Sequence, residues 1–131
     1  MATITEDYVN FETAKLLKEK GFDEPCHCLW NNPSNGSPYN SVCEDIMTYE
    51  DIDPEVVHHW YLCPTLQMAM KWLREKHNLW IDIDPLTGNK WTWSIWLMND
   101  PSQKMGESLQ IISNYNEACE VSIKYCLENL I

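Results

Sequence analysis

Basic residues are scarce in this chain. Nine Lys and Arg stand against twenty Asp and Glu, and the formal net charge is −11. A binder of nucleic-acid backbone needs clustered cations to release counterions. Here the cations are scattered along helix faces, so neither nucleic acid nor an anionic membrane is an expected partner. Long apolar runs are also missing: no stretch approaches the roughly 18 residues a membrane helix needs. The opening Met1–Asp7 segment has neither a basic nor an apolar signal region, which makes the cytoplasm the expected location. Without an oxidising compartment, the six cysteines read as free thiols rather than a disulfide framework. Catalytic signatures are lacking too. There is no Gly-rich phosphate loop, no H-E-x-x-H and no G-x-S-x-G, so no cofactor is implied and a non-enzymatic role is expected.

What is present is an ordinary globular composition, 44% hydrophobic and 22% charged over 131 residues, enough for one buried core without staples. The expectation is a single compact α+β domain over residues 1–131. It has an antiparallel sheet of about four strands, packed by two or three helices in a single layer.

Three helices are legible. Asn10 caps the first, Phe11, Ala14 and Leu17 recur at helical spacing, and Gly21 stops it. Thr65 after Pro64 opens the second, whose Leu66, Ala69, Met70, Leu73 and His77 share a face. Asn114 with Glu117 three residues on opens the third in capping-box style, with Cys119, Ile123, Cys126, Leu127 and Leu130 inward. A hairpin joins Leu79, Ile81 and Ile83 through a Pro85–Asn89 turn to Trp91, Trp93, Ile95 and Leu97. Their alternation puts these residues on one core face, with Ile81 beside Trp93. Cys26–Trp30 reads as a short strand, Asn31–Pro38 as a loop, Asp100–Gly106 as a loop and Leu109–Ile112 as a short edge strand. Tyr39–Tyr61 is the least legible segment. It carries Glu44, Asp45, Glu50, Asp51, Asp53 and Glu55 without Lys or Arg, and a strand near Val57–Leu62 is the reading adopted.

Candidate sites are few. Cys26 and Cys28, with His27 between them, together with His58, His59 and Cys63 hold the donor types zinc prefers. A C-x-C on a strand makes no turn around an ion, however, so packed thiols explain the same letters and no metal is expected. Cys119 and Cys126 sit seven apart on a helix and read as core. Asp82 and Asp84 share a strand face, as a divalent-cation or acid/base pair would, but alternation alone also produces that pattern. Among seven tryptophans, Trp91 and Trp93 fall on the core face. Trp80 and Trp96 fall on the opposite face, where they suit a ligand, a partner, a covering loop or a homodimer contact.

Phe11–Asp23, Pro64–Asn78 and Tyr115–Ile131 together resemble small uncharacterised proteins carried by phages and prophages of gut anaerobic bacteria. The run Pro64-Thr65-Leu66-Gln67-Met68-Ala69-Met70-Lys71-Trp72-Leu73-Arg74-Glu75-Lys76-His77 is distinctive. The resemblance implies a setting, an accessory protein of mobile genetic origin, and brings no site residues with it. The expected function is a protein-binding module for a host or phage protein. A small-ligand binder that sequesters a nucleotide on its tryptophans is the alternative.

Overall fold

A computed structural model describes residues 5–131, which form two compact units. One is Tyr8–Thr65, and the other comprises the chain from Leu66 to Ile131 together with the segment up to Asp7.

In the unit Tyr8–Thr65, helix α1 (Phe11–Glu19) begins at Asn10, whose side chain accepts the Thr13 N–H at 2.9 Å. It ends where Gly21 takes a φ of +92° and Phe22 donates its N–H back to the Leu17 carbonyl at 2.9 Å. That reversal suits glycine, which pays no Cβ penalty at positive φ. Ala14, Leu17 and Phe22 are buried. Strands β1 (Cys26–Asn31), β2 (Tyr39–Met47) and β3 (Trp60–Leu62) form an antiparallel sheet in the order β2-β1-β3. Leu29 lies opposite Leu62, with Cys28 and Cys63 buried alongside.

The illegible middle segment is largely held by side chains. The Lys18 ammonium donates to the carbonyls of Val57 and Trp60 at 2.9 and 3.0 Å. It also lies over the rings of Tyr49 and Tyr61, at 5.0 and 4.7 Å from their centroids. The Tyr49 hydroxyl accepts the Leu62 N–H at 2.9 Å, and the Asp23 carboxylate accepts the Tyr49 N–H at 3.0 Å. One expectation is corrected here, and one strand is added in the stretch that could not be read. The strand read at Val57–Leu62 is a 3₁₀ turn over Val57–His59 followed by only three strand residues. Tyr39–Met47 is a nine-residue strand that pairs on one side only, and all of it but Cys43 and Met47 is exposed. With neither face packed against a core, β2 had no reason to alternate.

In the second unit, α2 (Leu66–His77) buries Leu66, Ala69, Trp72 and Leu73. The sheet runs β4-β5-β6 through β4 (Leu79–Leu86), β5 (Lys90–Leu97) and β6 (Asp100–Glu107). Gly88 and Asn89, at φ of +82° and +57°, close the β4–β5 hairpin, a conformation both residue types tolerate. Helix α3 (Tyr115–Asn129) starts at Asn114, whose side chain accepts the Glu117 N–H at 2.7 Å, and it buries Cys119, Ile123, Cys126 and Leu127. Helix α3 packs against β5 and β4, and α2 packs against β4 and α3.

Parity in the hairpin is as the alternation requires, but its register is offset. Ile81 faces Ile95, and Ile83 faces Trp93. Ile81 and Trp93 are diagonal rather than direct neighbours, a shift of two residues that leaves every side chain on its face. The Asp100–Gly106 loop is instead strand β6, hydrogen-bonded to β5 through two register shifts around Trp96. Conversely, the Leu109–Ile112 edge strand reduces to one bridge between Ile112 and Trp91. The described residues are thus α+β with three helices, but their six strands make two three-stranded antiparallel sheets rather than one sheet of about four. Among the described residues, no helix is long and apolar enough to cross a membrane.

Tyr8 pairs with Thr65, Val9 donates its N–H to the Pro64 carbonyl at 3.0 Å, and Leu66 donates to the Asp7 carbonyl at 2.8 Å.

Candidate functional site

Strand parity brings Trp80 and Trp96 directly opposite each other on the face of the second sheet that looks away from its core residues. Trp80 is 42% exposed and Trp96 is half-buried. The Trp96 indole N–H donates to the Ser94 hydroxyl at 2.9 Å, which fixes the ring against its own strand. A cation lies over each ring: the Arg74 guanidinium is 5.3 Å from the Trp80 centroid, and the Lys104 ammonium is 5.2 Å from that of Trp96. Lys104 is placed by β6, where it stands opposite Trp96, and it also pairs with Glu107 at 3.0 Å. Beside the tryptophans lies a shallow depression of about 340 Å³, walled also by Leu97, Met98 and Pro101.

Asp82 and Asp84 continue the same face along β4, opposite Ser94 and Thr92. Burial raises the Asp82 carboxyl above the usual aspartate range, with the Asp84 charge adding to it. A raised carboxyl disfavours the folded state once it is ionised. The penalty is absent at acid pH, sets in as pH rises through the aspartate range, and is complete at neutral pH. Asp82→Asn is therefore expected to raise the melting temperature at pH about 7 and to leave it nearly unchanged at pH about 3. Thermal melts at the two pH values check this, and an equal shift at both contradicts it.

The cysteine–histidine group separates. Cys26, Cys28 and Cys63 are buried together, and their thiols donate inward, Cys26 to the Glu24 carbonyl at 3.3 Å and Cys63 to that of Val9 at 3.4 Å. His58 and His59 instead stack on each other at 4.0 Å in the 3₁₀ turn, with His58 exposed. Among the described residues, no group of three or more His, Cys, Asp or Glu is arranged to hold a metal ion. Burial pushes the thiols of Cys26 and Cys126 up to about 12, and raises those of Cys28, Cys63 and Cys119 as well. Protonated, water-excluded sulfur is a poor nucleophile and a poor metal ligand. In the folded protein, only the half-buried Cys43 is expected to react quickly with a chromogenic disulfide reagent. The other five should follow upon denaturation. A second fast thiol would show that one of the buried cysteines is reachable.

Arg74, Lys104, Met98 and Pro101 belong to the tryptophan face although nothing in the sequence reading marked them. Lys104 and Pro101 lay in the segment taken as loop, and assigning it as a strand beside β5 would have brought Lys104 to Trp96. Arg74 carries no such signal, because a helix residue reaching a ring on the following strand is a tertiary event. No family model, curated protein or solved structure matches the chain.

Proposed function

We propose that this protein is a non-enzymatic protein-binding module that grips a host or phage protein in the cytoplasm through the Trp80/Trp96 face. The observation that carries this reading is a directly opposed tryptophan pair on a solvent-facing sheet surface, beside an open apolar depression. Large rings already fixed by a hydrogen bond and by cation contacts lose little entropy on binding, and Trp and Arg dominate interface hot spots. The phage-like resemblance of the three helical blocks supports the accessory setting.

The test compares wild-type protein with Trp80→Ala/Trp96→Ala as bait in lysate of a lysogenic anaerobe. A partner that is retained by wild type and lost with the double variant is expected. Capture of the same partners by both would overturn the reading.

One observation favours the alternative, a small-ligand protein for nucleotides. Arg74 and Lys104 sit at the two rings and offer charge for a phosphate beside a stacked base. Titration with adenosine monophosphate, followed by calorimetry, separates the readings. Saturable binding that vanishes in Trp80→Ala/Trp96→Ala supports the nucleotide reading, and silence leaves the protein-binding reading in place.

A further inference from the structure

The connection between β1 and β2 carries chemistry of its own. Asn35 is the only asparagine in the chain that glycine follows. The carboxamide carbon of an asparagine can be reached by the backbone nitrogen of the next residue, because the bond between them closes a five-membered ring. Two things ordinarily prevent that closure. A side chain on the next residue crowds its nitrogen, or a paired backbone holds that nitrogen away.

Neither obstacle is present at Asn35. Gly36 has no side chain, and the nearest atom outside its chain neighbours to the place a Cβ would take is Pro33 Cγ at 3.7 Å. Ser34, Asn35, Gly36 and Ser37 are all exposed. The connection is anchored at its base, where Asn31 pairs with Tyr39 and the Asn32 N–H donates to the His59 carbonyl at 2.8 Å. Beyond that base, Pro33 and Pro38 have no N–H to give. Among the described residues, neither the Asn35 side chain nor the Gly36 N–H is engaged in a hydrogen bond. Exposed backbone without such bonds rearranges at little cost. Asn40 is the contrast. It too is exposed and precedes a small residue, Ser41, but it is paired opposite Trp30 in the β1–β2 ladder. Turning Ser41 nitrogen onto the Asn40 side chain would break that pairing.

We propose that Asn35 is a site of spontaneous covalent modification, converted through a succinimide with Gly36 into isoaspartate and aspartate. The Gly36 nitrogen attacks Asn35 Cγ. A C–N bond forms there, the bond from Cγ to Nδ2 breaks, and the proton lost by the Gly36 nitrogen leaves with Nδ2 as ammonia. Water then opens the ring at either carbonyl. Opening at Cγ gives aspartate with the ordinary backbone. Opening at the main-chain carbonyl gives isoaspartate, whose chain runs on through Cβ and Cγ. Water is the sole co-reactant. Either product adds a carboxylate to a chain already at −11, and isoaspartate also lengthens the β1–β2 connection by a backbone carbon. The site is independent of the Trp80/Trp96 face.

The test incubates the full chain, folded and in guanidinium chloride, in mildly alkaline buffer and follows each asparagine by peptide mapping. Folded Asn35 is expected to lose its amide at a rate within about tenfold of the unfolded chain, and before any other asparagine, Asn40 included. The folded product should accept methyl groups from S-adenosylmethionine through an isoaspartyl methyltransferase. Asn35→Gln, which would have to close a six-membered ring, should abolish that acceptance. A folded rate below that bound, another asparagine reacting first, aspartate formed without isoaspartate, or undiminished methyl acceptance by Asn35→Gln would each overturn the proposal.

Discussion

Trp93→Ala is expected to lower the unfolding free energy by about 3–5 kcal/mol, as read from urea denaturation. Trp93 is a large side chain on the core face, cross-strand to Ile83 and in ring contact with Tyr125 of α3. Its removal takes the middle out of the contact between sheet and helix. The indole N–H makes no hydrogen bond there, so the loss is one of apolar area and cavity, not of a polar partner. Trp96→Ala, three residues on and of opposite parity, is expected to cost clearly less. Trp96 is half-buried, and its ring is covered by one lysine rather than by a helix. A loss for Trp96 equal to that for Trp93 would mean that the outer face is sealed, and the proposed binding surface would fall with it.

Lys18→Met is expected to cost about 2–3 kcal/mol, because the carbonyls of Val57 and Trp60 both lose a charged donor at once. Methionine keeps the apolar stem that packs between Tyr49 and Tyr61, so the measured loss reports the ammonium rather than the packing. Burial already lowers the Lys18 ammonium from the usual lysine range. The group is thus held by its hydrogen bonds and rings despite losing water. Urea denaturation monitored by tyrosine and tryptophan emission gives the number, and a variant as stable as the wild type would show the latch to be incidental.

These two residues also mark the boundary of what the sequence could reveal. Trp93 was legible because the β4–β5 hairpin has one buried face, and a buried face writes a period of two into the letters. The same logic recovered all three helices, two of them to their capping asparagines, Asn10 and Asn114. It also placed Trp80 and Trp96 on the outer face. Nothing in the sequence singles out Lys18, one of several charges on α1. Its actual partners lie 39 and 42 residues away, and spacing says nothing about contacts at that range. Strands β2 and β6 failed for a related reason. Each lies at the edge of its sheet and is exposed along most of its length, so backbone pairing rather than side-chain burial makes them strands. Polar letters in Asp100-Pro101-Ser102-Gln103-Lys104 then look like loop, and the division into two sheets disappears with them. The register error at Ile81 is smaller. Parity is fixed by burial, but the offset depends on how many residues the turn consumes, and Pro85 and Leu86 proved to be strand.

The pairing of Tyr8 with Thr65 gives the chain an unusual economy of connection. The unit between them leaves and re-enters at adjacent points, while Asp7 and Leu66, the cut ends it leaves behind, are hydrogen-bonded to each other. Adjacent ends are the geometry that lets a compact segment begin and end at one point on its surface, and the Tyr8–Thr65 pairing gives that geometry to the unit Tyr8–Thr65.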